Sequence, residues 1–326
     1  RFTMDFKVLI YVAAVCAGTG VLFGIAPALH VSSANRSDTL KEGARGSFGT
    51  RRANRFGHLL IVGELALTVV LLCGAGLMGR SFFALYANDP GFEVNGLTRM
   101  KLQLPPSNYP TPETRLRFYD QLLPQVNAIP GVQRAAFATS VPPLVDDEWR
   151  FEIDGQRYAD DDVRPRTNTV TITPGYFDVL GVAVSRGRAL NDGDGAAGVE
   201  NVVVSHVFAN QFFNGENPVG RRVRFVARED AAEQQPWRTI VGVTAPFQQG
   251  DDGEAFRSPV VYLPLRQAAP RNGSLIVRSG LPPVDVMTAV RGSVRAIDPD
   301  QPVFNIETIA AVIANERVIY RIFATL

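Results

Sequence analysis

The chain has 326 residues, of which 46% are hydrophobic and 20% charged, and 33 Lys plus Arg against 32 Asp plus Glu leave a net charge of +1. A balance so near neutral lacks the concentrated basic surface that nucleic acid binding requires. The averages conceal two materials: a membrane-like stretch over residues 1–86, and a mixed remainder long enough for one large or two small cored domains.

Two apolar runs, 8–29 and 59–79, open the chain. A helix needs roughly 20 mainly apolar residues to cross a hydrocarbon core of about 30 Å, and each run has that length with at most one ionisable side chain. Residues 1–30 are therefore expected to form one transmembrane helix and 58–86 a second. The first run exceeds the usual apolar core of a signal peptide and no small-residue cleavage site precedes a mature domain. Between them, 31–57 carries Arg36, Lys41, Arg45, Arg51, Arg52 and Arg55 against Asp38 and Glu42, and this basic excess marks a cytoplasmic linker. The first helix then runs inward, the second returns outward, and 87–317 lies outside.

Small residues four apart, Ala14 with Gly18, Gly20 with Gly24 and Ala75 with Gly79, would let helices approach closely inside a bundle. Pro27 lies near the cytoplasmic end of the first run, where a helix break costs little. Glu64 is the sole acid within a span, but it sits about one turn from the cytoplasmic end, where a structural role outweighs a proton relay. Gly74, Gly76 and Gly79 satisfy the dinucleotide fingerprint G-x-G-x-x-G. That reading fails because the apolar run begins at Leu59, too long for the strand such a motif requires, and no second half follows.

In the external part, patterning predicts a strand over 97–104, a helix over 112–128 and a strand over 132–139. The same order recurs near the other end, with strands at 274–278 and 303–306 around a helix at 283–297. Two β-α-β units at opposite ends imply one split β-α-β subdomain built from flanks 87–145 and 266–317. The insertion, 146–265, reads mostly as strands: 149–153, 167–173, 201–205, 219–226, 238–243 and 260–263. Short helices are expected at 174–180 and 206–213, the second capped by Ser205. The fold class is thus two transmembrane helices plus an α+β external domain. The apolar segment 318–326 is expected to open a third, truncated span of a longer protein.

Catalytic signatures are missing: the sequence has no G-x-S-x-G, no H-E-x-x-H and no P-loop, so no catalytic residue is assigned. His30, His58 and His206 are scattered, and no metal or cofactor ligand set is assigned. The acidic runs at 146–148, 160–162, 191–195 and 251–254 read as solvated turns; the third lacks the alternating ligands and closing Glu of a calcium loop. Cys16 and Cys73 both fall in the spans, where Cys behaves as a small hydrophobe, so the external domain must hold without disulfides.

This order of features resembles the MacB/FtsX-like ABC transporter permease family, in its duplicated bacterial form. Gly24-Ile25-Ala26-Pro27-Ala28-Leu29 followed by Thr39-Leu40-Lys41-Glu42-Gly43 resembles the end of a first permease repeat, and residues 67–82 the opening helix of a second. In the external part the resemblance rests on Asp89-Pro90-Gly91-Phe92, Ile129-Pro130-Gly131-Val132, Thr173-Pro174-Gly175-Tyr176-Phe177, Arg186-Gly187-Arg188, Asn217-Pro218-Val219-Gly220-Arg221-Arg222, Val241-Gly242-Val243 and Val261-Tyr262-Leu263-Pro264. The resemblance implies a bacterial inner-membrane, multi-pass permease subunit. In it a separate cytoplasmic ATP-binding cassette ATPase drives movement of a periplasmic core domain, for efflux or extraction. It implies as partners that ATPase, a second permease copy or repeat, membrane lipid and a periplasmic partner protein, with no cofactor and no nucleic acid. A membrane-anchored periplasmic sensor is the alternative, and it requires a signalling domain downstream. An anchored enzyme would need a polar cleft with perturbed ionisable groups.

Overall fold

The computed structural model describes residues 10, 16, 18–20, 48–87, 89–145, 148–158, 164–226, 235–249 and 258–316, with side chains of the first long helix described over 61–80. Most of the first predicted span, its Gly24, the linker up to residue 47 and segment 318–326 lie outside these residues. The chain divides into two units, Arg1–Arg80 and Ser81–Leu326.

In the first unit, helix α1 covers Phe48–Ala87, 40 residues, and continues past the unit boundary. At 1.5 Å per residue it is about 60 Å long. It starts inside the stretch predicted as linker, because Arg51, Arg52, Ala53 and Arg55 are good helix formers and polarity ends the apolar run without ending the helix. Within it, Ile61–Arg80 is long and apolar enough to cross a membrane. Its side chains are bare on all sides: Leu72 is 73% exposed and Met78 77%. Gly74, Gly76 and Gly79 lie inside this continuous helix, which removes the strand that a dinucleotide site would need.

In the second unit, four strands form an antiparallel sheet in the order β11 (Val303–Thr308), β1 (Leu97–Gln103), β10 (Asn272–Ser279), β2 (Val132–Ala138). Helix α2 (Pro112–Asn127) joins β1 to β2 and α6 (Pro283–Ile297) joins β10 to β11. Each β-α-β unit therefore has a strand of the other lodged between its own two. Neither half of this sheet can be completed alone, so segments far apart in sequence must meet. Alternation sets the faces: Ala135 and Phe137 of β2 and Leu275 and Val277 of β10 point to α2 and α6, while Ala136, Ala138 and Ile276 point away. Both helices carry Pro in the first turn, and Thr111 caps α2.

The remaining strands are β3 (Glu148–Ile153), β4 (Arg166–Ile172), β5 (Val184–Gly187), β6 (Asn201–Val204), β7 (Arg222–Phe225), β8 (Arg238–Thr244) and β9 (Val260–Pro264). Their pairings run β4-β3-β7-β8-β6-β9, and β9 returns to β4 in parallel, closing a ring that leaves β5 outside on β8. Closure of this kind removes exposed strand edges. Helix α4 (His206–Phe213) brings Phe208 and Phe213 against Phe151, Val223 and Ile240 of the ring, and the Ser205 hydroxyl accepts from Phe208 N at 3.1 Å as its cap. The three short elements left are α3 (Tyr176–Leu180), α5 (Leu265–Ala268) and α7 (Ile309–Glu316).

Strand 219–226 proves shorter than predicted, at Arg222–Phe225, because Arg221 N closes a turn on Pro218 O at 2.9 Å. Strand β5 has no counterpart in the sequence reading: its residues are mostly exposed and show no apolar alternation.

Candidate functional site

The site that stands out is the core where the sheet and the ring meet, because the entering segment, the sheet, the ring, α3 and α7 all contribute to it. Phe92 comes from the segment that leads into the domain, Leu97 from the start of β1, and Ile309 from α7, which leaves it. Ala138 and Ile276 come from the sheet, Ile172 and Val203 from the ring, and Tyr176 and Phe177 from α3. A chain of rings ties the leading segment to the strand ring. Phe92 meets Phe247 edge-on with centroids 6.4 Å apart, Phe247 stacks on Tyr262 at 6.2 Å, and Tyr262 meets Phe177 edge-on at 5.0 Å.

Three polar fastenings fix the register that an apolar core alone would leave free to slide. The first centres on Gln249, which is 2% exposed. Its Oε1 accepts from Tyr262 OH at 2.9 Å and from Tyr176 OH at 3.3 Å, and its Nε2 donates to Leu144 O at 3.3 Å. One amide thus holds β9, α3 and the loop after β2. Burial pushes the Tyr262 phenol well above its ordinary pKa, so it stays a neutral donor.

The second is Arg278 on β10, whose side chain is 12% exposed. Its Nε donates to Val179 O at the end of α3 at 2.7 Å, and its other nitrogens to Asn95 O at 3.2 Å and Glu93 O at 3.0 Å, with Glu93 Oε2 at 2.9 Å as counter-charge. A guanidinium against a helix C-terminal carbonyl is a charge-assisted bond at the negative end of the dipole. Glu93 N also donates to Leu180 O at 2.9 Å.

The third is the seam between β2 and β4. Only Ala138 and Ile172 pair in ladder register, but Thr139 N donates to Thr171 O at 2.9 Å and Thr173 N to Phe137 O at 2.9 Å. The Thr139 hydroxyl accepts from Thr171 N, and the Thr173 hydroxyl from Phe137 N, each at 2.9 Å. The two threonines extend a one-pair ladder into a stitched joint.

Gly91 shows how closely the leading segment is held. Gln248 N donates to Pro90 O at 2.7 Å, and a Cβ on Gly91 would fall 2.7 Å from Pro246 O, at a φ of 73° that L side chains rarely adopt.

The residues singled out from sequence lie elsewhere. Ala75, Gly79 and Glu64 are on α1, and Gly18 and Gly20 lie in helical backbone. Among the described residues nothing lies within 4 Å of a Cβ placed at Gly18, Gly20 or Gly79, and Thr68 donates its hydroxyl to Glu64 O at 2.7 Å. Among the described residues no contact joins Gly18, Gly20 and Gly79. Among the described residues no group of three His, Cys, Asp or Glu is placed to hold a metal. In the 191–195 turn, Asp194 is fully engaged: Arg188 grips both oxygens at 2.6 and 2.8 Å, and Asn201 Nδ2 and Asn191 N donate at 2.6 and 2.8 Å. That carboxylate closes a turn and leaves no lone pair aimed at a cation. Gln249 and Arg278 were invisible to sequence reasoning, although Phe92, Tyr176, Phe177 and Tyr262 all belong to strings quoted above for the resemblance.

A split β-α-β sheet that shares one core with an inserted ring of strands defines a class of domain, and within that class the chain can be assigned. The MacB-like periplasmic core domain family matches residues 61–297, most of the chain including the apolar part of α1, and the chain belongs to that family, the domain type of ABC transporter permeases. Among solved structures, the periplasmic region of MacB from Actinobacillus actinomycetemcomitans is similar at 15% identity and a TM-score of 0.44, over 70% of this chain and 95% of that one. The extracellular domain of the noncanonic ABC-type transporter YknZ from Gram-positive bacteria is similar at 15% identity and a TM-score of 0.40, over 64% of this chain and 100% of that one. Comparison with curated proteins gave no match.

Proposed function

We propose that this chain is part of a permease subunit of a bacterial ABC transporter of the MacB/FtsX-like type. In this reading a separate cytoplasmic ATPase drives movement of the periplasmic domain, for efflux or extraction of a substrate across the cell envelope. The observation that carries it is the shared core: the leading segment, the trailing helix α7 and the inserted ring all bury side chains in one cluster. Displacement applied at either end of the domain is therefore applied directly to the insertion, without an intervening flexible linker. A close-packed interior transmits strain instead of absorbing it. Family membership over residues 61–297 supports the same reading.

In the same proposal the protein spans the inner membrane several times. The small residues Gly18, Gly20, Gly24, Ala75 and Gly79 face neighbouring helices or a second permease copy, and Glu64 makes a structural contact near the cytoplasmic interface. The direct test is to isolate the full-length protein from native membranes in mild detergent and identify what accompanies it. Recovery of an ATP-binding cassette ATPase, with ATP turnover altered in the complex, is the expected result. Recovery of a histidine kinase or other signalling protein in its place would overturn the proposal in favour of a sensor.

A further inference from the structure

A cavity of about 320 Å³ opens at the C-terminal end of α6, lined by Arg291, Arg295, Pro299, Asp300, Gln301, Pro302 and Val303. Its charged groups are uncommitted. Arg291, Arg295 and Asp300 have no side-chain hydrogen bond or ion pair among the described residues, although charges of both signs line the same space. Stabilisation of the helix dipole accounts for a cation in the last turn of α6, where Arg295 lies. It does not account for Asp300 or for the floor.

The floor is Gln301, 4% exposed. Its Nε2 donates to Gln103 O at 3.0 Å and Pro302 O at 3.1 Å, which fixes the amide's orientation, and its enclosed Oε1 has no donor among the described residues. A buried acceptor without a partner costs about 1–3 kcal/mol, and native structures keep few of them.

We propose that this cavity binds a small zwitterion. Its acidic group is held by Arg291 and Arg295, whose positions one turn apart on α6 present two planar donor forks that match a carboxylate or phosphate. Its ammonium is held by Asp300. At about 30 Å³ per water-sized group, the space fits a molecule of roughly ten non-hydrogen atoms. That is the size of a dipeptide or a phosphoethanolamine head group. The site stands whether or not the chain works in a transporter.

The test is calorimetric titration of the full-length protein in detergent with glycylglycine and, separately, with phosphoethanolamine. Acetate and ethylamine serve as half-ligands carrying one charge each. A dissociation constant below about 1 mM for at least one zwitterion is expected. The half-ligands should bind at least about tenfold more weakly, and Arg291→Gln/Arg295→Gln and Asp300→Asn should each weaken the zwitterion about tenfold or more. These residues are exposed, so the variants fold. Preference for one zwitterion tells a peptide source from a lipid head group. Absence of heat with both zwitterions, unchanged affinity in the variants, or acetate binding as tightly as the zwitterion would overturn the proposal.

Discussion

On one face of the four-stranded sheet, Leu122 and Val126 of α2 and Val290 and Val294 of α6 pack against Met100, Phe137 and Leu275. On the other face, Ala136, Ala138 and Ile276 meet α3, the ring strands, the leading segment and α7. The first core belongs almost wholly to the flanking elements, and its polar ties, Arg115 to Ala269 O and Tyr119 OH to Pro270 O, fasten α2 to the segment before β10. The second draws on the leading segment, the sheet, the ring, α3 and α7, and its polar fastenings run between these parts: Gln249 and Thr173, both buried, with Arg278 and Thr139, half-buried. Hydrocarbon contact is non-directional and sets how strongly surfaces adhere, whereas buried hydrogen bonds fix where they adhere because a slipped register leaves them unmet. The helix-covered core should therefore govern stability, and the shared core should govern whether sheet and ring move as one.

The largest expected effect comes from the helix-covered side. Leu122→Ala removes a fully buried side chain and should cost about 3 kcal/mol in urea unfolding of the domain while keeping a single transition. Gly91→Ala should cost about 2 kcal/mol from the left-handed backbone, with the contact to Pro246 added. It should also separate the transition into two as the leading segment lifts from Phe247. Gln249→Leu removes the acceptor that the Tyr176 and Tyr262 hydroxyls share and should cost about 2 kcal/mol. Adding Tyr262→Phe to that variant should cost little more, because the hydroxyl it removes is already unpaired, and a double-mutant cycle measures this directly. A single transition in both the Gly91 and Gln249 variants would erase the distinction between the two cores.

The smallest effect is a pH dependence at a turn outside both apolar clusters. Burial alone would raise the Asp194 carboxyl, but hydrogen bonds from Arg188, Asn201 and Asn191 N outweigh it and hold it at about 2. A carboxyl depressed below its unfolded value of about 3.9 stabilises the fold above that value and loses the contribution as pH falls from about 4 toward 2. Asp194→Asn should flatten this acid limb of the urea midpoint and leave both cores unchanged.

Much of this architecture was legible in the sequence, because it rests on local periodicity. The helix bounds of α4 and α6 and the Ser205 cap coincide with the expectation, as do the strands whose alternation puts one face in a core. Strand β5 was not legible because it pairs only with β8 and buries almost nothing. Its partnership shows in two glycines: Gly187 and Gly242 lie opposite each other, and a Cβ on Gly187 would run into Val241 O. Helix α1 extends beyond the apolar run because polarity, not helix propensity, changes at its start. The shared core was the least legible part. Gln249 and Arg278 act on backbone and hydroxyl groups distant in sequence, so nothing in their neighbourhood marks them. Strings such as Asp89-Pro90-Gly91-Phe92 and Thr173-Pro174-Gly175-Tyr176-Phe177 were visible, but their meeting depends on the topology.

Native-state hydrogen exchange on the full-length protein tests the claim that sheet and ring form one mechanical body. Amides of β1 and β10 in the sheet and of β4 and β9 in the ring should open with the same free energy, as one cooperative unit. That agreement should be lost in Gln249→Leu. Ring amides that open at a distinctly lower free energy than the sheet in the unaltered protein would contradict the account, because a ring that opens by itself cannot follow the displacement of the sheet.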